Sequence, residues 1–168
     1  MNLGFKNKKI LVTGGSRGLG LEICNQFIKE EGRVFAIARN PKKSLIFDKK
    51  VIKNKVNFFK CDLTVNQDYN KLILFLKKRK IFFDIIVHNL GGNPGITNNN
   101  SEIKDWKKLW DLNVGTAIKI NNDLLPFMVK KKWGRVVHIS SNSVENSGNQ
   151  WQPHGGSAPY SASKSYLN

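Results

Sequence analysis

The chain has 168 residues, of which 40% are hydrophobic and 24% charged, and its 28 Lys and Arg outweigh 12 Asp and Glu to give a formal net charge of +16. That length fits one domain with a real core, and no apolar run approaches the roughly eighteen residues that a membrane-spanning helix needs. Only five of the basic residues are Arg, and the lysines are spread along the chain, so the charge reads as compositional bias and nucleic-acid binding is not expected.

The chain opens on MNLGFKNKKI, which is basic but lacks the apolar segment of a secretory signal. A cytoplasmic protein is therefore expected. Short β-branched runs follow at KILVTG (9–14), RVFAIAR (33–39), KVNFFKCDL (55–63), FFDIIVHNL (82–90) and GRVVHISS (134–141). Helix-period segments lie between them at 18–31, 66–80 and 102–132, with a weak one near 41–50. Strands alternating with helices predict right-handed βαβ units and a parallel sheet. The runs are apolar on both faces, as strands covered on each side must be. The expected fold is α/β, a Rossmann-like doubly wound parallel sheet of order 3-2-1-4-5 within a single domain over 1–168. Two stretches read as loops, GGNPGITNNN (91–100) and SNSVENSGNQWQPHGGSAP (141–159). Cys24 and Cys61 sit in apolar patterns without metal-type spacing. They read as buried free thiols, and no metal site is expected.

The first strand runs into TGGSRGLG, Thr13 to Gly20, directly before a helix. Such a loop lets backbone N–H groups and the helix dipole hold a pyrophosphate. Gly14 suits the tight turn, Gly18 the close approach of the phosphates, and Gly20 the packing of helix on sheet. At the end of the second strand an NAD site usually carries an acid for the ribose 2′-hydroxyl. No acid occurs between Glu31 and Asp48, whereas Arg33, Arg39, Lys42 and Lys43 do, and Arg17 lies in the glycine loop. Arg17 and Arg39 suit a 2′-phosphate, so NADP is expected in preference to NAD.

Near the other end stands YSASK, with Tyr160 and Lys164 four apart and thus on one helix face. Pro159 suits a helix start and Ser157 could cap it. A phenol ordinarily titrates too high for proton exchange near neutrality, and a neighbouring ammonium favours its ionised form. The fifth strand delivers Ser140 and Ser141 to the carboxyl edge of the sheet, the fourth delivers Asn89 and Gly91, and Asn113 lies within the long helical segment. In open α/β folds ligands bind at that edge.

Taken in order, these segments resemble the short-chain dehydrogenase/reductases, in the single-domain branch of that superfamily. TGGSRGLG is similar to the family's T-G-x-x-x-G-x-G loop, CDLT to the Asp-Leu after the third strand, HNLGG to its N-A-G, LNVG to its Asn motif, and ISS with YSASK to its Ser and Tyr-x-x-x-Lys. The resemblance implies that Thr13, Gly14, Ser16, Arg17, Gly18, Leu19, Gly20 and Arg39 contact the cofactor. Asp62 and Leu63 would contact its adenine, with Asn89 and Gly91 beside it. It also implies that Tyr160 exchanges a proton with the substrate oxygen and that Lys164 lowers its pKa and holds the nicotinamide ribose. Ser141 would hydrogen-bond the carbonyl, and Asn113 would hold a water that relays protons to Lys164. The substrate would be a small carbonyl compound or alcohol.

Leu90 stands where the family has Ala, and Ser141 and Tyr160 stand nineteen positions apart, more than the family pattern has. The added segment contains Trp151, Gln152 and His154, as a pocket wall or a surface excursion. Counting from the strand favours Ser141 as the active serine, whereas counting back from Tyr160 brings in Ser143. The architecture needs a sixth strand, so about 60 or more further residues are expected. Without them the fifth strand would be a bare apolar edge and the Tyr160 helix about two turns long. The 168-residue chain is thus expected to be an incomplete, weak or inactive reductase. A non-catalytic NADP-binding module is the alternative. A full-length form is expected to be a homo-oligomer, pairing through the helices around 105–132 and from Tyr160.

Overall fold

The computed structural model describes residues 3–40, 56–96, 101–144 and 158–167. Five strands, β1 (Lys9–Thr13), β2 (Arg33–Ala38), β3 (Val56–Lys60), β4 (Ile85–His88) and β5 (Arg135–His138), form one sheet in the order β3-β2-β1-β4-β5. Every pairing is parallel, with Ile10 opposite both Val34 and Ile85, and His88 opposite His138. The expected doubly wound topology is therefore the one observed, and the reversal of strand order falls between β1 and β4, where α/β sheets open a crevice.

Alternation along the strands sends neighbouring side chains to opposite faces, and two cores result. On one face Ile10, Val12, Val34, Ala36, Ile85 and Val87 pack with Cys24 and Ile28 of α1 (Gly18–Lys29). On the other, Leu11, Phe35, Ile37 and Ile86 pack with Tyr69, Leu72, Ile73 and Leu76 of α2 (Asn66–Lys78). Ile120, Leu124 and Met128 of α4 (Thr116–Lys131) close the same layer. Among the described residues, β5 has a strand neighbour on one side only, and Val137, on the α1 face, is 44% exposed.

The segment expected as one long helix over 102–132 is divided. It comprises α3 (Ile103–Trp110), a π turn (Asp111–Gly115) and α4. A π turn inside an α-helix costs regular hydrogen bonding and recurs where side chains are re-aimed at functional sites, and here it contains Asn113. The last helix, α5 (Ala158–Ser165), carries Tyr160 and Lys164 on adjacent turns. The weak helical segment near 41–50 lies outside the described residues, as do Lys42, Lys43, Trp151, Gln152, His154 and Ser157.

Candidate active site

The carboxyl ends of β1, β2 and β4 enclose a cleft of about 790 Å³. Its floor and walls include Gly14, Ser16, Arg17, Gly18, Leu19 and Gly20 from the glycine loop, Arg39 after β2, Asp62 and Leu63 after β3, and Asn89 and Gly91 after β4. Eleven of the residues singled out by sequence thus line one cavity. Thr13 sits beneath it, 2% exposed.

Thr13 and Asn89 hold the loop in place. Thr13 Oγ1 accepts the backbone N–H groups of Asn89 and Leu90 at 3.1 and 2.9 Å. The Asn89 side-chain amide donates to the carbonyls of Thr13 and Gly14 at 3.0 and 3.3 Å. These bonds tie β1 to β4 across the crevice. A Cβ at Gly20 would collide with Asn89 Nδ2 and with the Gly14 carbonyl. Gly18 has φ +51° with open space where a Cβ would project. No side chain caps the N-terminus of α1, so its first N–H groups remain suited to an anion. Below the loop, Cys24 Sγ lies 3.8 Å from the Gly15 carbonyl. Burial pushes the Cys24 thiol up to about 12 and Cys61 up to about 11. Both cysteines are free and inert.

At the far end of the cleft, Arg39 Nη1 stands 4.0 Å from Asp62 Oδ2. Asp62 Oδ1 accepts the N–H and hydroxyl of Thr64 at 3.0 and 2.6 Å, which fixes the carboxylate. Arg17 is exposed and lines the same cleft.

Toward β5 the cleft meets a buried amine. Lys164 is 4% exposed, and its Nζ donates to the Ile139 carbonyl at 2.7 Å. Burial holds its pKa below the ordinary lysine value. Gly91 is the point of contact between amine and cleft: a Cβ there would lie 2.9 Å from Lys164 Nζ and 2.6 Å from Asn113 Oδ1. Asn113, 1% exposed, is fully engaged by backbone. Its Oδ1 accepts Gly92 N–H at 2.8 Å, and its Nδ2 donates to the carbonyls of Gly92 at 3.1 Å and Leu109 at 3.0 Å. The side chain is pinned under the β4 loop, while the preceding residue, Leu112, lines the cleft. Tyr160 is half-buried one turn before Lys164, and its carbonyl accepts the Ser163 hydroxyl at 2.7 Å. Ser141 and Ser143, the two candidate serines, are hydrogen-bonded to each other in the turn after β5.

One feature beside the site escaped sequence reasoning. His88 and His138, in register on β4 and β5, stack with ring centroids 4.6 Å apart. His88 pairs with Asn121 Oδ1 at 2.8 Å, and burial lowers it to about 4. His138 is also lowered, by burial and then by the Lys164 charge, and its buried Nδ1 has no partner among the described residues. The available signal was a histidine at the end of each strand. Among the described residues no group of His, Cys, Asp or Glu could hold a metal, and no helix is long and apolar enough to cross a membrane.

Residues 8–168 match the family model described as short chain dehydrogenase. The chain is 28% identical over 169 residues to benzil reductase ((S)-benzoin forming) IRC24 of Saccharomyces cerevisiae, covering 96% of this chain and 62% of that protein. L-sorbose reductase from Gluconobacter frateurii, solved with NADPH and L-sorbose, superposes with a TM-score of 0.84 at 23% identity, over 99% of this chain and 62% of that one. A short chain dehydrogenase from Leptospira borgpetersenii with bound NAD+ gives 0.81 at 18% identity, over 97% and 62%. At these identities the two structures establish the fold. The chain spans about three fifths of each of the three proteins.

Proposed function

The chain belongs to the short chain dehydrogenase family, and on that premise we propose that it carries the cofactor cleft and proton-transfer groups of an NADP(H)-dependent oxidoreductase that interconverts a ketone and a secondary alcohol. The observation that carries this reading is the position of Gly91, which lines the glycine-loop cleft and lies against both Lys164 Nζ and Asn113 Oδ1.

The residues present fit a dinucleotide. An uncapped helix N-terminus, an open approach at Gly18 and a cleft lined by Arg17 and Arg39 suit a pyrophosphate and a phosphorylated ribose. Bound there, a nicotinamide nucleotide supplies or accepts the hydride. Arg17 and Arg39 would hold the 2′-phosphate, Asp62 and Leu63 would border the adenine, and Ser16 and Leu19 would complete the phosphate loop. Lys164 Nζ would hold the nicotinamide ribose and place a positive charge beside Tyr160. Ser141 donates to the substrate carbonyl oxygen. With such a nucleotide bound, the Tyr160 hydroxyl would give its proton to that oxygen in reduction and take it back in oxidation. Asn113 keeps the β4 loop, and with it Gly91, at the distance that lets Lys164 reach the cofactor. The solved neighbours hold NADPH in one case and NAD+ in the other; the basic cleft end without an acid after β2 favours NADP here.

The test is NADPH oxidation with benzil and with L-sorbose, in wild-type protein and in Tyr160→Phe. Turnover that vanishes in Tyr160→Phe supports the reading, and a Tyr160→Phe protein of full activity would falsify it. The second reading, a nucleotide-binding module without turnover, draws on Ser141, Ser143 and Tyr160 not being among the described residues that line the cleft. It predicts NADPH binding, abolished by Gly18→Val, with neither carbonyl compound reduced.

A further inference from the structure

Ser143 directs two donors at one atom. Its backbone N–H reaches Ser141 Oγ at 3.2 Å and its hydroxyl reaches the same oxygen at 2.9 Å. The turn that carries both, Asn142–Val144, closes on itself through Val144 N–H to the Ser141 carbonyl at 3.2 Å. It packs against α5, the helix of Tyr160 and Lys164. Ser143 therefore holds the Ser141 side chain through both its peptide N–H and its hydroxyl.

A hydroxyl offers two acceptor positions and one hydrogen. The Ser143 N–H fills one acceptor position of Ser141, and when the Ser143 hydroxyl fills the other, the Ser141 hydrogen is the capacity left for a partner outside the turn. We propose that Ser143 is a positioning residue that fixes Ser141 as a hydrogen-bond donor, aimed at the oxygen of a carbonyl substrate. The proposal rests on the oxidoreductase reading above and divides the work between two serines that sequence spacing alone leaves as rivals: Ser141 touches the substrate, and Ser143 acts through it. Donation into Ser141 also polarises its O–H bond, because hydrogen bonds in a chain strengthen one another. Such a donor favours a substrate oxygen with exposed lone pairs and growing negative charge, which a carbonyl under hydride attack has.

The experiment compares Ser143→Ala and Ser143→Thr with the wild-type protein, using NADPH and benzil. Ser143→Ala removes one of the two donors and is expected to lower kcat about five- to tenfold, with the KM for NADPH unchanged. Ser143→Thr keeps the hydroxyl and is expected to regain most of the loss. A Ser143→Ala protein with wild-type kcat overturns the proposal. So does a loss shared equally by kcat and NADPH binding, which marks a merely structural role. Crystal structures of the same proteins give a second readout. The Ser141 side chain should leave its rotamer in Ser143→Ala and keep it in Ser143→Thr, and an unmoved Ser141 in Ser143→Ala overturns the positioning. If the wild-type protein reduces neither benzil nor L-sorbose, the oxidoreductase reading fails and the carbonyl role of Ser143 with it, while the Ser141 rotamer still reports whether Ser143 holds that side chain.

Discussion

Lys164 Nζ donates to the carbonyl of Ile139 at 2.7 Å, so the amine of α5 is held by the peptide that follows β5. The Lys164 carbonyl accepts Ser140 Oγ at 3.3 Å in return. Removing the amine by Lys164→Met leaves the Ile139 carbonyl without this donor, at a cost of about 1–3 kcal/mol. We expect a lower melting temperature and a loss of turnover of about a hundredfold or more. Lys164→Arg should not rescue it, because the space beside Gly91 is too tight for a guanidinium. Melting curves and NADPH oxidation check both outcomes; wild-type turnover in Lys164→Met would end the assignment of this lysine.

Gly91→Ala places a methyl group 2.6 Å from Asn113 Oδ1 and 2.9 Å from Lys164 Nζ. Neither neighbour can retreat freely, since both are buried and hydrogen-bonded to backbone. The expected cost is about 1–3 kcal/mol of stability, with turnover reduced more than NADPH affinity. Equilibrium unfolding and steady-state kinetics on the same sample separate the two effects. An unchanged kcat would mean that the amine does not work from the position observed.

Arg39 stands at the cleft end, 4.0 Å from Asp62 and largely exposed. Its ion pair contributes little to stability in water, so Arg39→Ala should leave the melting temperature nearly unmoved. It should raise the KM for NADPH about tenfold, the loss of one charge-assisted phosphate contact, and leave the KM for NADH alone. Equal effects on the two nucleotides would remove Arg39 from the recognition of the 2′-phosphate.

His88 makes the fold acid-sensitive. Its folded value is about 4, against 6.5 for an ordinary imidazole. As pH falls from 6.5 toward 4 the unfolded chain takes up a proton that the folded chain refuses. Stability present above 6.5 is therefore lost across that window, by up to about 3 kcal/mol. His138, stacked on it, has its own lowered value and adds to the same direction. Urea unfolding at a series of pH values should show this slope in the wild type and a shallower one in His88→Gln. Identical slopes would place the acid sensitivity elsewhere.

What the sequence disclosed and what it withheld divide along physical lines. The strands were legible because Ile10 to Val12 and Ile85 to Val87 are apolar on both faces, and their order was expected from the resemblance to a Rossmann-type sheet. The cleft was legible because Gly14, Gly18 and Gly20 answer backbone requirements that few other residues meet. The work of Thr13 and Asn89 was not: both read as cofactor contacts, yet their bonds run between β1 and β4, and only the pairing of the two strands reveals this. The histidine stack was hidden for the same reason, since His88 and His138 are fifty residues apart and meet only through strand register. The π turn was invisible because its residues, DLNVG, carry no pattern that separates them from an α-helix.

That π turn has a consequence for how the chain can change. A π turn holds about one residue more than an α turn, so it rotates everything beyond it by roughly 100°. Within it, Asn113 addresses the β4 loop through Gly92; beyond it, Asn121 meets His88 and Ile120, Leu124 and Met128 fill the core under the sheet. The two groups are in phase with their targets only while the extra residue is present. Residues 111–115 should therefore accept exchanges of side chain at Asp111, away from the buried Asn113 and Val114 and from Leu112 in the cleft, but no change of length. Deleting one residue would restore an unbroken helix and force a choice between an Asn113 that faces the site and an α4 that faces the sheet.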